Sequence, residues 1–152
     1  MNETRTVIDT GVAVSAVLLP RSVPRLAFDA AAVRGKLLVS EATVAELDEV
    51  LRRSKFNKYI PEELRLEFLA ALVQQAEQVA VSDAITACRD AKDDKFLELA
   101  VGGKASHILT GDADLLVLHP FRGIAIVTPQ AFLANVLGSG AEQSAPADRP
   151  RD

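Results

Sequence analysis

Short apolar runs alternate along the chain with longer segments in which apolar residues recur at helical spacing. The runs Arg5–Asp9, Lys36–Val39, His107–Thr110 and Ile124–Val127 are rich in Val, Ile and Leu, and a shorter run covers Val79–Val81. Each is bounded by turn or capping residues, which predicts a strand. Because the runs are nearly continuous rather than strictly alternating, we expect parallel strands that are buried on both faces.

Helical periodicity predicts five helices between and after these strands. They cover Arg25–Val33, Glu41–Ser54, Pro61–Gln78, Asp94–Val101 and Pro129–Leu137. Strands that alternate with helices predict an α/β fold with a mainly parallel central sheet and helices on both faces.

The pattern also indicates where the folded domain ends. With 152 residues, 49% of them hydrophobic, the chain is long enough for one core, so we expect a single domain over residues 1–137. From Gly138 onward the sequence is small, polar and proline-bearing, which predicts a disordered tail over residues 138–152. Thr10 and Gly11, directly after the first strand, are interpreted as a turn.

Charge and cysteine content restrict the class of protein. The N-terminal residues lack the pattern of a signal peptide, no apolar stretch is long enough to span a bilayer, and Cys88 is the single cysteine, so we expect a cytoplasmic protein without a membrane partner. The formal net charge of −4 opposes binding to phosphate. A nucleic-acid ligand therefore requires a cation or a local basic patch.

Several carboxylates lie at positions that could meet in space. Asp9 and Asp112 follow two predicted strands, Asp93 and Asp94 begin a helix, and Glu46 lies at the edge of a helical apolar stripe. Each position has an ordinary structural explanation as a turn former, a helix cap or a surface acid. In a parallel sheet, however, the carboxyl ends of the strands open onto one crevice, where the acids could converge.

Converging carboxylates indicate a metal site. Anions held together repel one another unless a cation compensates them. Ligation by oxygen alone favours Mg²⁺ or Mn²⁺, and the sequence shows no cluster of Cys or His that would favour zinc. Such ions promote hydrolysis of phosphodiesters, and a bound cation also removes the objection from net charge.

The sequence at this point resembles the PIN-domain family, in particular the toxin components similar to the VapC group. The resemblance runs from Val7 to about Leu137 and rests on the order of the blocks VIDTGVAVSAVL, SEATVAELDEVLRRSKF, CRDAKDDKFLELA, TGDADLL and FRGIAIVTPQAFL. It implies a single PIN-like domain that acts as an Mg²⁺- or Mn²⁺-dependent endoribonuclease, the toxin of a type II toxin–antitoxin system. The partners that it implies are RNA, a cognate antitoxin and further copies of the chain.

The same resemblance implies roles for individual residues. The catalytic, metal-binding acids would be Asp9, Glu46, Asp94 and Asp112. Asp94 is preferred to Asp93 for its spacing to the apolar residues of the helix. The auxiliary residues implied are two hydroxyls that would orient the ligands and two neighbouring acids, namely Thr10, Thr110, Asp93 and Asp114.

One position departs from the family. Similar sequences usually read D-T-N after the first strand, but this chain has Gly11 where the Asn would stand. The loss of that amide leaves open a second class, a catalytically silent PIN-like module that binds other proteins. A haloacid-dehalogenase type of phosphatase would need an Asp at position 11, and a flap-type nuclease would need long helical insertions.

A basic run follows the helix that carries Glu46. It contains Arg52, Arg53, Lys55 and Lys58, with Phe56 and Tyr59 interleaved. These residues could contact RNA, since cations steer phosphates and aromatic rings stack on bases. Basic residues also complement the dipole at a helix C-terminus, which is the alternative explanation.

Overall fold

Five parallel strands form the centre of the computed structural model, which describes residues 3–144. They are β1 (Thr4–Ile8), β2 (Gly35–Val39), β3 (Glu77–Gln78), β4 (His107–Leu109) and β5 (Ala125–Val127). Their order across the sheet is β3-β2-β1-β4-β5, and every neighbouring pair is parallel. The predicted α/β fold with a mainly parallel sheet is confirmed.

Helices cover both faces of the sheet. They are α1 (Thr10–Leu18), α2 (Val23–Arg34), α3 (Glu41–Leu51), α4 (Glu62–Gln75), α5 (Asp94–Gly102), α6 (Ala113–Leu116) and α7 (Pro129–Ser144). Two single 3₁₀ turns, Ser54–Phe56 and Ala91–Asp93, come after α3 and before α5.

Two hydrophobic clusters lie on opposite sides of the sheet. Successive residues of a strand point to opposite faces, so Ile108 belongs to one cluster and Leu109 to the other. The larger cluster joins α1, α2, α3, α4 and α7, and the second joins α5 and α6. Because both faces are buried, the strands lack the alternation of a sheet that is exposed on one side.

The predicted turn at Thr10 and Gly11 is wrong, because α1 begins at Thr10. The Asp9 carboxylate caps this helix by accepting a hydrogen bond of 2.8 Å from the Val12 N–H. Both sides of α1 are buried, so its sequence lacks the polar face that reveals a helix. The short α6 was also not predicted.

The predicted bounds of α4, β3 and α7 need correction. α4 ends at Gln75 because Ala76 adopts an extended backbone conformation, so the edge strand is Glu77–Gln78 rather than Val79–Val81. α7 continues to Ser144, past the predicted start of the tail. The rest of that tail, residues 145–152, lies outside the described residues, and the domain boundary stays a prediction.

No single helix within residues 3–144 is long and apolar enough to cross a bilayer. α1 and α2 meet those limits only together, across a bend of 106°.

His107 should make the stability of the fold depend on pH. Its ring packs edge-on against Phe132, with centroids 5.2 Å apart, and burial lowers the pKa of His107 below its ordinary 6.5. The unfolded chain therefore binds a proton at a pH where the folded ring is still neutral. The contribution of the neutral His107 ring to the free energy of unfolding is complete above pH 6.5 and is lost as the pH falls below that value. Urea unfolding should show the free energy of unfolding of wild type falling with acidification relative to that of His107→Gln. Parallel curves for the two proteins would contradict this assignment.

Candidate active site

The candidate site lies where the strand order reverses. From β1 the chain proceeds outward through β2 to β3 and then crosses to β4 on the other side of β1. A crevice therefore opens at the carboxyl ends of β1 and β4. Asp9 directly follows β1, and Asp112 comes three residues after the end of β4.

Asp9 is held firmly at the base of this crevice. Its side chain is buried, its N–H donates to the Leu109 carbonyl at 3.0 Å, and its Oδ1 accepts from the Val12 N–H. Asp9 Oδ2 accepts a hydrogen bond from the fully buried Thr110 hydroxyl. The carboxylate is therefore fixed through both oxygens before any ligand arrives.

Thr110 connects the two strand-end acids. While its hydroxyl donates to Asp9, the same oxygen accepts a 2.9 Å hydrogen bond from the Asp112 N–H. The Asp112 carboxylate in turn caps α6 by accepting from the Asp114 N–H at 2.9 Å. These contacts place the Thr110 hydroxyl between the two acids, and its role in orienting metal ligands stays a prediction.

The crevice is an acidic pocket of about 440 Å³. Four acids line it, and no basic side chain does so among the described residues: the acids are Asp9, Glu46, Asp93 and Asp112. The remaining lining residues are neutral: Thr10, Gly11, Val12, Ser15, Pro24, Phe96, Gly111 and Pro129. We call this cavity the acidic pocket.

The preference for Asp94 over Asp93 is corrected by the structure. Asp94 does not line the acidic pocket, since its Oδ1 accepts hydrogen bonds from the N–H groups of Ala87 (3.1 Å) and Cys88 (2.8 Å). These bonds, with the Cys88 N–H first, lower the pKa of Asp94. Asp93 makes no side-chain capping bond and faces the other acids.

Helical spacing explains why Asp93, and not Asp94, lines the acidic pocket. Phe96, Leu97 and Ala100 are buried on α5 and lie three, four and seven residues after Asp93. Residues at those separations share one helix face, so Asp93 lies on the same face as Phe96, which lines the acidic pocket, whereas Asp94 is buried against the loop at residues 87 and 88. The spacing was available in the sequence, but which face of α5 meets the pocket is seen only from the orientation of the helix.

The carboxylates affect one another electrostatically. Burial raises the pKa of Asp9 against hydrogen bonds from Thr110 and Val12, and the charges of Asp112 and Glu46 raise it further. Burial, followed by the charges of Asp112 and Asp90, raises the pKa of Asp93 to about 6. The pocket thus concentrates negative charge that its own lining does not neutralise.

Glu46, which the sequence places at the edge of the helical apolar stripe, lines the acidic pocket from α3. Its Oε1 lies 2.5 Å from the Nζ of Lys95, a residue that the sequence did not single out. Lys95 follows Asp93 by two residues, so this ion pair joins α3 to the start of α5 beside the pocket.

The other predicted residues occupy different surroundings. Thr10 lines the pocket, and its buried hydroxyl has no hydrogen-bond partner in the described part of the chain. Asp114 lies outside the lining, 3.9 Å from Arg89. No member of the basic run lines the pocket either; its members are Arg52, Arg53, Lys55 and Lys58.

The basic run has local partners instead. Arg52 pairs with Asp48 at 3.1 Å, and Arg53 lies 3.6 Å from Glu49. The ammonium groups of Lys55 and Lys58 lie over the rings of the residues that follow them. Contacts between this run and RNA stay a prediction.

The donor set of the acidic pocket fits a hard divalent cation. Four carboxylates supply oxygen ligands, two of them have raised pKa values, and the Thr10 hydroxyl is buried without a partner. Over residues 3–144, no three His, Cys, Asp or Glu side chains are already arranged around one metal position. Closure around a cation therefore requires side-chain movement. Glu46 is the acid of the pocket that is already paired with a basic side chain, Lys95.

Comparison with known proteins supports this assignment of the fold. Residues 5–114 match the sequence family described as the PIN domain. An uncharacterized protein of Methanocaldococcus jannaschii is 32% identical over 119 residues, which cover 76% of this chain and 75% of the relative.

Two solved structures share the fold at low sequence identity. VapBC2 from Rickettsia felis bound to a promoter DNA fragment superposes with a TM-score of 0.55 and 13% identity, covering 80% of this chain and 96% of that one. FitAcB from Neisseria gonorrhoeae gives a TM-score of 0.53 and 18% identity, covering 82% and 98% of the two chains.

Proposed function

Because this chain belongs to the PIN-domain family, we propose that it is a metal-dependent endoribonuclease, the toxin of a type II toxin–antitoxin system. PIN domains are generally nucleases, so hydrolysis of a phosphodiester is the expected reaction class. The choice of RNA, the metal and the toxin role are the proposal. A cytoplasmic location, where RNA and an antitoxin would both be met, belongs to it.

One observation carries the proposal, namely the convergence of four carboxylates at the point where the strand order reverses. If these acids had only a structural role, arginine or lysine side chains within the pocket would neutralise their charges. Here the lining is acidic or neutral, and burial, together with the smaller effect of the neighbouring acids, raises the pKa values of Asp9 and Asp93. A cation from solution is the natural complement of such a site.

The protein would contribute orientation and charge to catalysis. Thr110 and the Val12 N–H fix Asp9, the Asp114 N–H fixes Asp112, and both acids therefore present their carboxylates in a set direction. Asp9, Glu46, Asp93 and Asp112 would hold Mg²⁺ or Mn²⁺. When bound, such an ion lowers the pKa of water and neutralises charge that develops on the phosphate.

An antitoxin partner and self-association are part of the same proposal. Two of the solved structures that share this fold are VapBC2 and FitAcB. We propose that a cognate antitoxin covers the acidic pocket of this chain and blocks access of RNA. Self-association of this chain is proposed from the family alone.

Cleavage of RNA by the purified chain tests the proposed function. We expect cleavage with Mg²⁺ or Mn²⁺, loss of cleavage with a chelator, and recovery when the metal is added back. Asp9→Asn serves as the matched variant, because it keeps the shape and one acceptor oxygen but removes the charge. Equal cleavage by wild type and Asp9→Asn would reveal a contaminant, and no cleavage by wild type would favour the silent protein-binding module.

Gly11 allows a test of the missing amide. A Cβ at this position would lie 3.8 Å from Asp9 Oδ1, an ordinary contact, so a side chain can be accommodated. Gly11→Asn should increase cleavage about threefold to tenfold over Gly11→Ala, since an added amide donor can brace the carboxylates. Neither variant should be less stable than wild type, and Gly11→Ala should gain more helix stability than Gly11→Asn, which thermal unfolding would check. Equal activity of the two variants would mean that the amide has no role here.

A further inference from the structure

Lys95 is bonded directly to one of the four acids of the pocket. Its ammonium lies 2.5 Å from Glu46 Oε1 and also donates a hydrogen bond to the Lys92 carbonyl. The two side chains are 20% and 29% exposed, so the pair is shielded from much of the solvent that weakens surface ion pairs.

The position of Lys95 is unusual for a basic residue near this pocket. Among the described residues no lysine or arginine lines the cavity, and Arg89 approaches only Asp114, at 3.9 Å, with a side chain that is 83% exposed. Lys95 therefore supplies the nearest compensating charge to Glu46. Its second acceptor, the Lys92 carbonyl in the 3₁₀ turn, holds the ammonium in that place.

We propose that Lys95 is the built-in counterion of Glu46 and competes with a divalent cation for that carboxylate. The inference rests on the proposed function, because it concerns the same pocket. A cation bound by Glu46 would have to separate the carboxylate from Lys95 and accept the repulsion of a nearby ammonium. Lys95 thus lowers the metal affinity of the site and makes Glu46 the last acid to engage.

Two effects of removing Lys95 oppose each other, and their sizes decide the outcome. Loss of the ion pair frees the Glu46 side chain, which must then be ordered when metal binds. Loss of the unit charge removes its repulsion of a divalent ion at close range. Because that repulsion acts on a doubled charge in a partly shielded site, it exceeds the cost of ordering a single side chain.

Calorimetric titration of the full chain with Mn²⁺ alone tests this inference without requiring catalysis. Lys95→Met keeps the length of the side chain and removes its charge, so it should bind Mn²⁺ about tenfold or more tightly than wild type. Lys95→Arg keeps the charge and should bind within about threefold of wild type. Lys92→Met removes a neighbouring exposed charge while keeping the carbonyl, and it should change the affinity much less.

The outcomes separate this inference from the proposed function. If wild type binds Mn²⁺ and cleaves RNA but Lys95→Met binds Mn²⁺ equally or more weakly, the competition is refuted and the nuclease proposal stands. If Lys95→Met binds Mn²⁺ and wild type shows no detectable binding, the result supports competition between Lys95 and the metal ion. If neither protein binds Mn²⁺, both proposals fail. Lys95→Gln provides the same charge removal should Lys95→Met fail to fold, as judged by thermal unfolding.

Discussion

Replacing Asp93 by asparagine is expected to reduce metal-dependent RNA cleavage by roughly a hundredfold or more, the loss that accompanies removal of a metal-binding carboxylate. Asp94→Asn should retain activity within a few-fold of wild type. The adjacent residues differ because Asp93 lines the acidic pocket, whereas Asp94 accepts two backbone hydrogen bonds from residues 87 and 88.

The two variants should also differ in stability. Asparagine at position 94 keeps an acceptor oxygen for the loop but loses the charge, so we expect a destabilisation of about 1 kcal/mol. At position 93 the substitution relieves repulsion from Asp112 and should not destabilise the fold. Urea unfolding and Mn²⁺ titration of both variants would separate damage to the fold from damage to the site. Loss of activity only in Asp94→Asn would reverse the assignment.

Replacing Arg65 by methionine is expected to cost about 3 kcal/mol or more of unfolding free energy, because it leaves buried carbonyls without a donor. The Arg65 side chain is fully buried on α4. Its guanidinium donates to the carbonyls of Leu51 (2.7 Å), Ile60 (2.6 Å) and Arg53 (3.2 Å). A fourth bond goes to Asn57 Oδ1 at 3.1 Å.

These bonds satisfy the C-terminal end of α3 and the loop that follows it. The carbonyls there lack partners within the helix, and the helix dipole makes them favourable neighbours for a cation. Arg65→Lys should recover only part of the stability, since an ammonium lacks the fork of donors. Arg52→Ala is the surface control and should cost no more than about 1 kcal/mol. Urea unfolding would measure all three, and a near-neutral Arg65→Met would show that water replaces the guanidinium.

Arg65 also illustrates what the sequence pattern could not reveal. By residue type, Leu64 is the better candidate for the inward face of α4, yet Leu64 is 46% exposed and the neighbouring arginine is buried. A charged residue is a poor candidate for a core position unless its partners are known. Those partners are backbone carbonyls, which every sequence supplies and which therefore leave no signal.

The parts of the fold that could be predicted depend on local pattern. The strands β1, β2, β4 and β5 are short apolar runs between turn residues, and their parallel pairing follows from burial on both faces. Helix α1 was missed because apolar residues cover most of its surface and leave no clear polar face. The site was anticipated at Asp9 and Asp112, where strand ends determine the position, whereas the choice between Asp93 and Asp94 needed the orientation of α5.

The contacts of Thr110 divide the acidic pocket into a rigid half and an adjustable half. Asp9 and Asp112 are anchored through Thr110 beside the central strands, so we expect their backbone amides to be among the slowest to exchange with solvent. Asp93 ends a single 3₁₀ turn without a capping bond, and among the described residues Glu46 is held only by its ion pair with Lys95. The entropy lost when the site closes is therefore confined to one side of the pocket, while the other side is ordered already when the protein folds.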